Sequence, residues 1–375
     1  MKKVALNYIY LSRQHGGGKD QVGMNLLKGF QKNGVAKNML IICPDYSVDA
    51  IKEISCDIQV ISVKSPVIRN ELERMVWISF LNTFIIPRII KKNRIECVFH
   101  LCCNTGFRKL QAKSVVLPHD IKAISHRNLP GLHIPFYKYY LYKIMYKTDF
   151  KNADNIIAIS NTDRQEITKY YPEYKNKVIR IYNPIDIPLP DTIPDTNDRK
   201  DIVAINLQFL HKNIITLIRA FELIKDKTDH NLVLIGVIPK RVEFLKKYVL
   251  DHNLSDRIKF TGFISENEKN DYLRNCRLYV SPTLYEGFGM VSIEAIITGV
   301  PTLLSKIPTN YEVTKGLCDY YEPAEDYNAL AKKMLKTINT SNKDDALQAL
   351  DKSNKLFKEY DYRHVSDLYW NFLTS

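Results

Sequence analysis

The sequence predicts a two-domain α/β protein in which each half builds an open parallel sheet. Short buried-strand runs alternate with amphipathic helical stretches, the pattern of parallel strands joined by right-handed crossovers. The alternation breaks once, at Tyr182–Lys200, where Pro184, Pro188, Pro190 and Pro194 fall among aspartates. A chain of 375 residues is also longer than one ordinary core accommodates. The expected boundaries are a first domain over 1–182, a hinge linker over 183–200, a second domain over 201–354, and a C-terminal helix from about 355 to 375.

The elements follow in order. Val4–Ile9 reads as the first strand, then the glycine-rich turn His15–Gly23 and a helix near Met24–Lys32. Met39–Cys43, Cys97–Leu101, Ser114–Leu117 and Asn155–Ile159 are the next strands. Ser160 or Thr162 caps the helix that SNTDRQEI opens. Past the linker, strands Asp201–Asn206 and Asn231–Ile235 flank a helix from about Ile214 to Lys225. Ile258–Thr261, Leu278–Val280 and Pro301–Leu304 continue the series, and Asp351–Leu373 reads as an aromatic-rich tail helix. In open α/β sheets ligands bind beyond the carboxyl ends of the strands, so a cleft between the two sheets is the expected site.

Composition narrows the function classes. With 45% hydrophobic and 25% charged residues, the chain is neither collagen-like, disordered nor a disulfide scaffold. Its seven cysteines form no CxxC pair and no zinc-spaced cluster, which suits a reducing, cytoplasmic compartment and no bound metal. MKKVALNYIY is too short and polar for the apolar core of an export signal. The most apolar stretch, Met75–Ile90, is interrupted by Asn82, Pro87 and Arg88 and is too short to span a bilayer. Net charge is +13, and its distribution is uneven: residues 1–150 carry 23 Lys and Arg against 10 Asp and Glu, whereas 151–375 carry 31 of each. The first half therefore faces something anionic.

The segment most suggestive of chemistry is Ser281–Pro301, SPTLYEGFGMVSIEAIITGVP. A strand runs into a turn with Gly287 and Gly289, where backbone N–H groups can approach a ligand. A helix opens near Val291, adding unpaired donors and the positive end of a dipole. Glu286 on the turn and Glu294 on the helix can face one pocket and chelate sugar hydroxyls. EGFGMVSIEA followed by GVP resembles the E-x7-E motif of the retaining nucleotide-sugar glycosyltransferases of glycosyltransferase family 4, which have the GT-B fold of two Rossmann-like domains with parallel sheets facing across a cleft.

The resemblance implies roles. Glu286 and the backbone of Gly287, Phe288, Gly289 and Met290 hold the transferred sugar, and Glu294 binds the ribose. Asn206–Phe221, NLQFLHKNIITLIRAF, is similar to the family's diphosphate-gripping element, with Lys212 matching its lysine at a helix start. Asn206 stands where the family commonly has arginine, which leaves the diphosphate more dependent on Lys212, helix dipoles, and Arg13 or Lys19. Gly17 and Gly18 match the N-terminal glycine loop that abuts the phosphates and the acceptor. His119, ending a strand, matches a histidine that contacts the donor sugar; His100 also ends a strand but has no motif behind it. Phe263 in TGFIS matches the loop that frames the base. The tail helix is implied to cross back onto the N-terminal domain.

The resemblance also implies a metal-independent enzyme that needs no cofactor beyond its nucleotide diphosphate sugar, UDP- or GDP-linked, and transfers a hexose with retention. Two basic stretches indicate where its acceptor lies. Residues 69–94 mix six cations with Val76, Trp77, Phe80, Phe84 and Ile85, and residues 138–151 set Lys138, Lys143, Lys147 and Lys151 beside Tyr139, Tyr140, Tyr142 and Tyr146. Such interleaving suits an anionic membrane surface. No helix-turn-helix, RNP or zinc signature accompanies the charge, so nucleic acid is not expected. The expectation is a peripheral enzyme at the inner face of the cytoplasmic membrane acting on a glycan or lipid-linked glycan of lipopolysaccharide, O-antigen or capsule synthesis. The alternatives are a soluble transferase making a small glycoside, a phosphorylase of the same fold, or a non-catalytic binding subunit.

Overall fold

Buried aliphatic runs form the strands of two separate parallel sheets. The computed structural model describes residues 3–13, 16–130, 134–192, 199, 201–340 and 343–375. His15, in the first glycine-rich turn, and much of the linker (193–198 and 200) lie outside the described residues. The chain divides into two compact units, the first from Met1–Arg127, Ile134–Asp186 and Glu359–Ser375, the second from Ile187–Lys358 with a short segment beginning at Asn128.

In the first unit, strands β1 (Val4–Asn7), β2 (Met39–Pro44), β3 (Gln59–Val63), β4 (Cys97–His100), β5 (Lys113–Val116), β6 (Asn155–Ala158) and β7 (Val178–Arg180) form a seven-stranded sheet. Its order is β3-β2-β1-β4-β5-β6-β7, every pair parallel. The helices are α1 (Gly18–Lys32), α2 (Val48–Ile54), α3 (Glu71–Phe80), α4 (Ile86–Asn93), α5 (Lys122–Ser125), α6 (Phe136–Asn152) and α7 (Asn161–Tyr170). Ser160 caps α7, its hydroxyl accepting from the Asp163 N–H at 3.0 Å.

In the second unit, β8 (Asp201–Ile205), β9 (Asn231–Ile235), β10 (Ile258–Gly262), β11 (Leu278–Ser281), β12 (Thr302–Ser305) and β13 (Asp319–Tyr321) form a six-stranded parallel sheet of order β10-β9-β8-β11-β12-β13. Its helices are α8 (Ile214–Glu222), α9 (Phe244–Asp251), α10 (Glu266–Asn275), α11 (Met290–Ile297), α12 (Pro308–Val313), α13 (Tyr327–Asn339) and α14 (Lys343–Tyr360). The final helix, α15 (Tyr362–Thr374), belongs to the first unit. Both sheets are doubly wound, and in each the strand order reverses beside its first strand: between β1 and β4, and between β8 and β11.

Several elements differ from expectation. β3, β7 and β13 were not expected; β3, β7 and β13 each lie at a sheet edge, and the latter two have three residues apiece, too few for a pattern. The first helix starts at Gly18 and not near Met24. The tail is not one helix: it breaks at Asp361, whose carboxylate accepts from the N–H groups of Arg363 (3.0 Å) and His364 (3.4 Å) and so starts α15. The linker's first residues are stitched to this break, because Ile185 N–H donates to Tyr360 O (2.7 Å) and Tyr362 N–H to Ile185 O (3.1 Å). The first unit consequently ends at Asp186, three residues past the expected start of the hinge. α15 buries Tyr369 edge-on against Phe99 of β4, with ring centroids 5.5 Å apart.

Candidate functional site

The loops that follow β8 and β11 flank the reversal point of the second sheet, and they carry the charged residues singled out in the sequence. After β8 the backbone turns through Asn206 in the left-handed region (φ 74) and reaches a single 3-10 turn, Leu210–Lys212. After β11 the chain runs Pro282–Phe288 to Gly289, whose φ of 80 starts α11. A side chain at Gly289 would be strained at that φ.

Two contacts lock the loops together. Leu284 N–H donates to His211 O (2.8 Å), and the Thr283 hydroxyl reaches the same oxygen (3.2 Å). Asn213, buried at the base of α8, donates to Pro282 O (3.1 Å) and Ala324 O (2.9 Å) while accepting from the Thr216 hydroxyl (2.8 Å). These bonds bring Lys212 Nζ into a close ion pair with Glu286 Oε1, with only 14% and 16% of the two side chains exposed. A cation, a carboxylate and the N-terminal amides of α11 therefore converge at one strand-end position. That arrangement can hold a diphosphate and a polyhydroxylated group together.

Glu294 lies on α11 and is 2% exposed, with Oε2 paired to Lys269 Nζ of α10 at 2.9 Å. Lys269 was not foreseen: a lysine in a polar helix gives no sign that folding will bury it. Phe288 and Met290 are buried, so in this conformation they can offer a ligand backbone groups but not side chains. Phe263 is 72% exposed just beyond β10, where Gly262 has a φ of 74.

The first unit gathers the remaining predicted residues at the carboxyl ends of its own strands. Gly17 (φ 109) and Gly18 open α1 beyond β1, and a Cβ at either would meet open space. Lys19 extends to Cys102 Sγ (3.6 Å) and, with Lys122, outweighs the effect of burial on Asp120, whose carboxyl lies below the usual range. His119 follows β5 with a φ of 68 and is buried, its Nε2 2.7 Å from Leu101 O. Burial and the Lys19 charge pull its pKa down to about 3. It is a neutral imidazole that donates through Nε2, so any acceptor role falls to Nδ1. His100 is also neutral, pulled to about 3 by burial, and its Nδ1 meets Asn7 at 2.9 Å inside the sheet end.

The two basic stretches fold into α3, a π-helical segment Leu81–Ile85, α4 and α6. Leu72, Val76, Phe80 and Phe84 lie exposed at four-residue spacing, and Phe136, Tyr137, Tyr140, Leu141 and Ile144 are exposed on α6. The tyrosines read from the sequence require a correction. Tyr146 is buried, and Tyr139 and Tyr142 pack on the core under α6, so of those four only Tyr140 is exposed. Trp77 and Ile85 likewise pack inward. No described helix is long and apolar enough to cross a membrane.

Two family descriptions match the chain: "Glycosyltransferase Family 4" over residues 16–188 and "Glycosyl transferases group 1" over residues 192–353. The O-antigen chain mannosyltransferase RfbU of Salmonella typhimurium is 22% identical over 304 residues, covering 81% of this chain and 80% of RfbU. The serotype-specific mannosyltransferase WbdA of Escherichia coli is 26% identical over 216 residues, 54% of this chain but only 26% of WbdA. Among solved structures, Anabaena Alr3699/HepE in complex with UDP and glucose superposes with a TM-score of 0.74 at 15% identity, covering 100% of both chains.

Proposed function

Because this chain belongs to glycosyltransferase family 4 and is a glycosyltransferase with the GT-B fold, we propose that it moves a hexose from a nucleotide diphosphate sugar to a lipid-linked glycan, with retention. The observation that carries this reading is the Lys212–Glu286 pair across the β8/β11 reversal point, with Glu294 farther along α11. The mannosyltransferase relatives support mannose as the hexose, and RfbU supports an O-antigen intermediate as the acceptor.

The donor binds the second unit. Lys212 and the first amides of α11 take the diphosphate, Glu286 and the backbone of Gly287–Met290 hold the sugar, Glu294 takes the ribose, and Phe263 packs on the base. Asn206, in place of a cation, leaves Lys212 as the main positive charge there. The C1–O bond to the diphosphate breaks as positive charge develops on the sugar. The leaving phosphate oxygen accepts the acceptor's hydroxyl proton, and the acceptor oxygen bonds C1 on the face just vacated. Lys212 and the helix amides stabilise the growing negative charge on the diphosphate. The first unit handles the acceptor, with Gly17 and Gly18 beyond the end of β1.

A thermal-shift screen against UDP, GDP, dTDP, CMP and ADP identifies the nucleotide, and NMR of the product made from the matching sugar donor reads the anomeric outcome. The expected results are stabilisation by one nucleoside diphosphate, a retained configuration, and activity undiminished by EDTA. An inverted product or abolition by chelation would sink this mechanism.

In this reading the exposed apolar stripe of α3 and the lysines and aromatics of α6 face the membrane, with the enzyme at the inner leaflet of the cytoplasmic membrane. Each lysine near an anionic surface contributes about 1 kcal/mol. Replacing Lys138, Lys143 and Lys147 by Gln together is expected to weaken partitioning onto anionic liposomes roughly a hundredfold. Partitioning that did not change, in a sedimentation assay at fixed salt, would remove this surface from the account.

A further inference from the structure

Lys269 is a buried charge of the second unit that the proposed reaction leaves without a role. A capping box sets its position: the Ser265 hydroxyl accepts from Glu268 N–H (3.2 Å), and Glu268 Oε2 accepts from Ser265 N–H (2.8 Å). This fixes the first turn of α10, and Lys269, one turn in, points toward α11. Its Nζ lies 2.9 Å from Glu294 Oε2 and 2.7 Å from Glu266 Oε2. Only 10% of the Lys269 side chain is exposed, against 66% of Glu266 and 2% of Glu294. The deep partner is therefore Glu294. Among the described residues Glu294 Oε1 accepts no hydrogen bond, so one carboxylate oxygen is taken and the other is available.

We propose that Lys269 is a positioning residue of the donor site: by holding Glu294 Oε2 it presents Oε1 to the ribose diol of the nucleotide. This rests on Glu294 being the ribose-binding carboxylate. A buried carboxylate without a partner turns toward solvent or takes up a proton, and in either state it is a poor acceptor for a hydroxyl. Burial works against the Lys269 ammonium, but Glu294 and Glu266 together raise its pKa above the usual lysine value, so it stays charged. Tyr279 of β11, also buried near Glu294, is pushed up by burial and by Glu286 and contributes no charge at neutral pH.

The test compares affinities for whichever of UDP and GDP binds better with those for its 2′-deoxy and 3′-deoxy counterparts, by calorimetry on the full chain. The wild-type protein is expected to prefer the ribonucleotide over at least one deoxy form by about ten- to a hundredfold, the worth of a hydrogen bond to a charged group. Lys269→Met is expected to weaken the ribonucleotide by about that factor and leave that deoxy form unchanged, collapsing the preference. Should Lys269→Met fail to fold, Lys269→Leu, which likewise cannot donate to Glu294, reads the same ratio. Equal weakening of all forms, or a preserved preference, overturns the positioning role. Glu294→Ala separates the two levels: if it keeps the preference, the ribose assignment itself fails; if it loses the preference while Lys269→Met keeps it, only the role of Lys269 falls.

Discussion

Replacing Lys212 by Met or Glu286 by Gln is expected to lower kcat by about a hundred- to a thousandfold, or roughly 3–4 kcal/mol of transition-state stabilisation. The two losses should not add. Lys212 and Glu286 form one largely desolvated ion pair, and removing either partner strands the other in a site with little water. In the free protein Glu286 holds the Lys212 ammonium; under the proposed reaction, donor binding would share that one positive charge between two anions. Lys212→Met should also weaken a nucleoside diphosphate more than the monophosphate, because the lost cation acts on the second phosphate. The double variant, assayed by nucleotide release, is expected to be little worse than the poorer single variant. Fully additive losses, or a Lys212→Met enzyme with wild-type kcat, would show that the pair does not act on the reacting groups.

Gly29→Ala is expected to be the most damaging conservative substitution in the first unit. Alanine normally favours a helix by about 1 kcal/mol over glycine, but here a Cβ would lie 2.0 Å from Ser366 Oγ and 2.5 Å from Tyr362 O of α15. The helices touch along this line: the Ser366 hydroxyl donates to Leu26 O (3.2 Å), and Asn33 Nδ2 donates to Arg363 O (2.9 Å) and Asp367 Oδ1 (2.6 Å). Forcing them apart costs about 1–3 kcal/mol or more, a fall in Tm of roughly 5–10 °C for a domain of this size. Ser366→Gly in the same chain should recover only part of it, because the backbone oxygen of Tyr362 remains in the way. An unchanged or raised melting temperature would mean that α15 docks loosely.

Much of the fold was legible because the central strands of a doubly wound sheet are buried on both faces and read as plain apolar runs. Val4–Asn7, Asn231–Ile235 and Leu278–Ser281 are of that kind. The edge strands β3, β7 and β13 were illegible for the converse reason: of β3 only Val63 is buried, and the others are too short for periodicity to register. The tail was misread as one helix because nothing in the local pattern separates Asp361, a helix start, from a polar position within a helix. The tyrosines of α6 were half misplaced because Tyr139, Tyr142 and Tyr146 find core partners that only the packed neighbours supply.

The site divides in the same way. By itself the sequence determined the family, the sheet-end position of Glu286 and Lys212, and the glycine that lets the chain enter α11, since each depends on residue type at a fixed local spacing. The tertiary structure alone decided how the charges are shared. Lys212 and Glu286 are 74 residues apart, and Lys269 and Glu294 are 25 apart. Neither pair has a local signature. Each forms because folding removes both partners from water together, and a charge so buried is tolerated only beside its opposite.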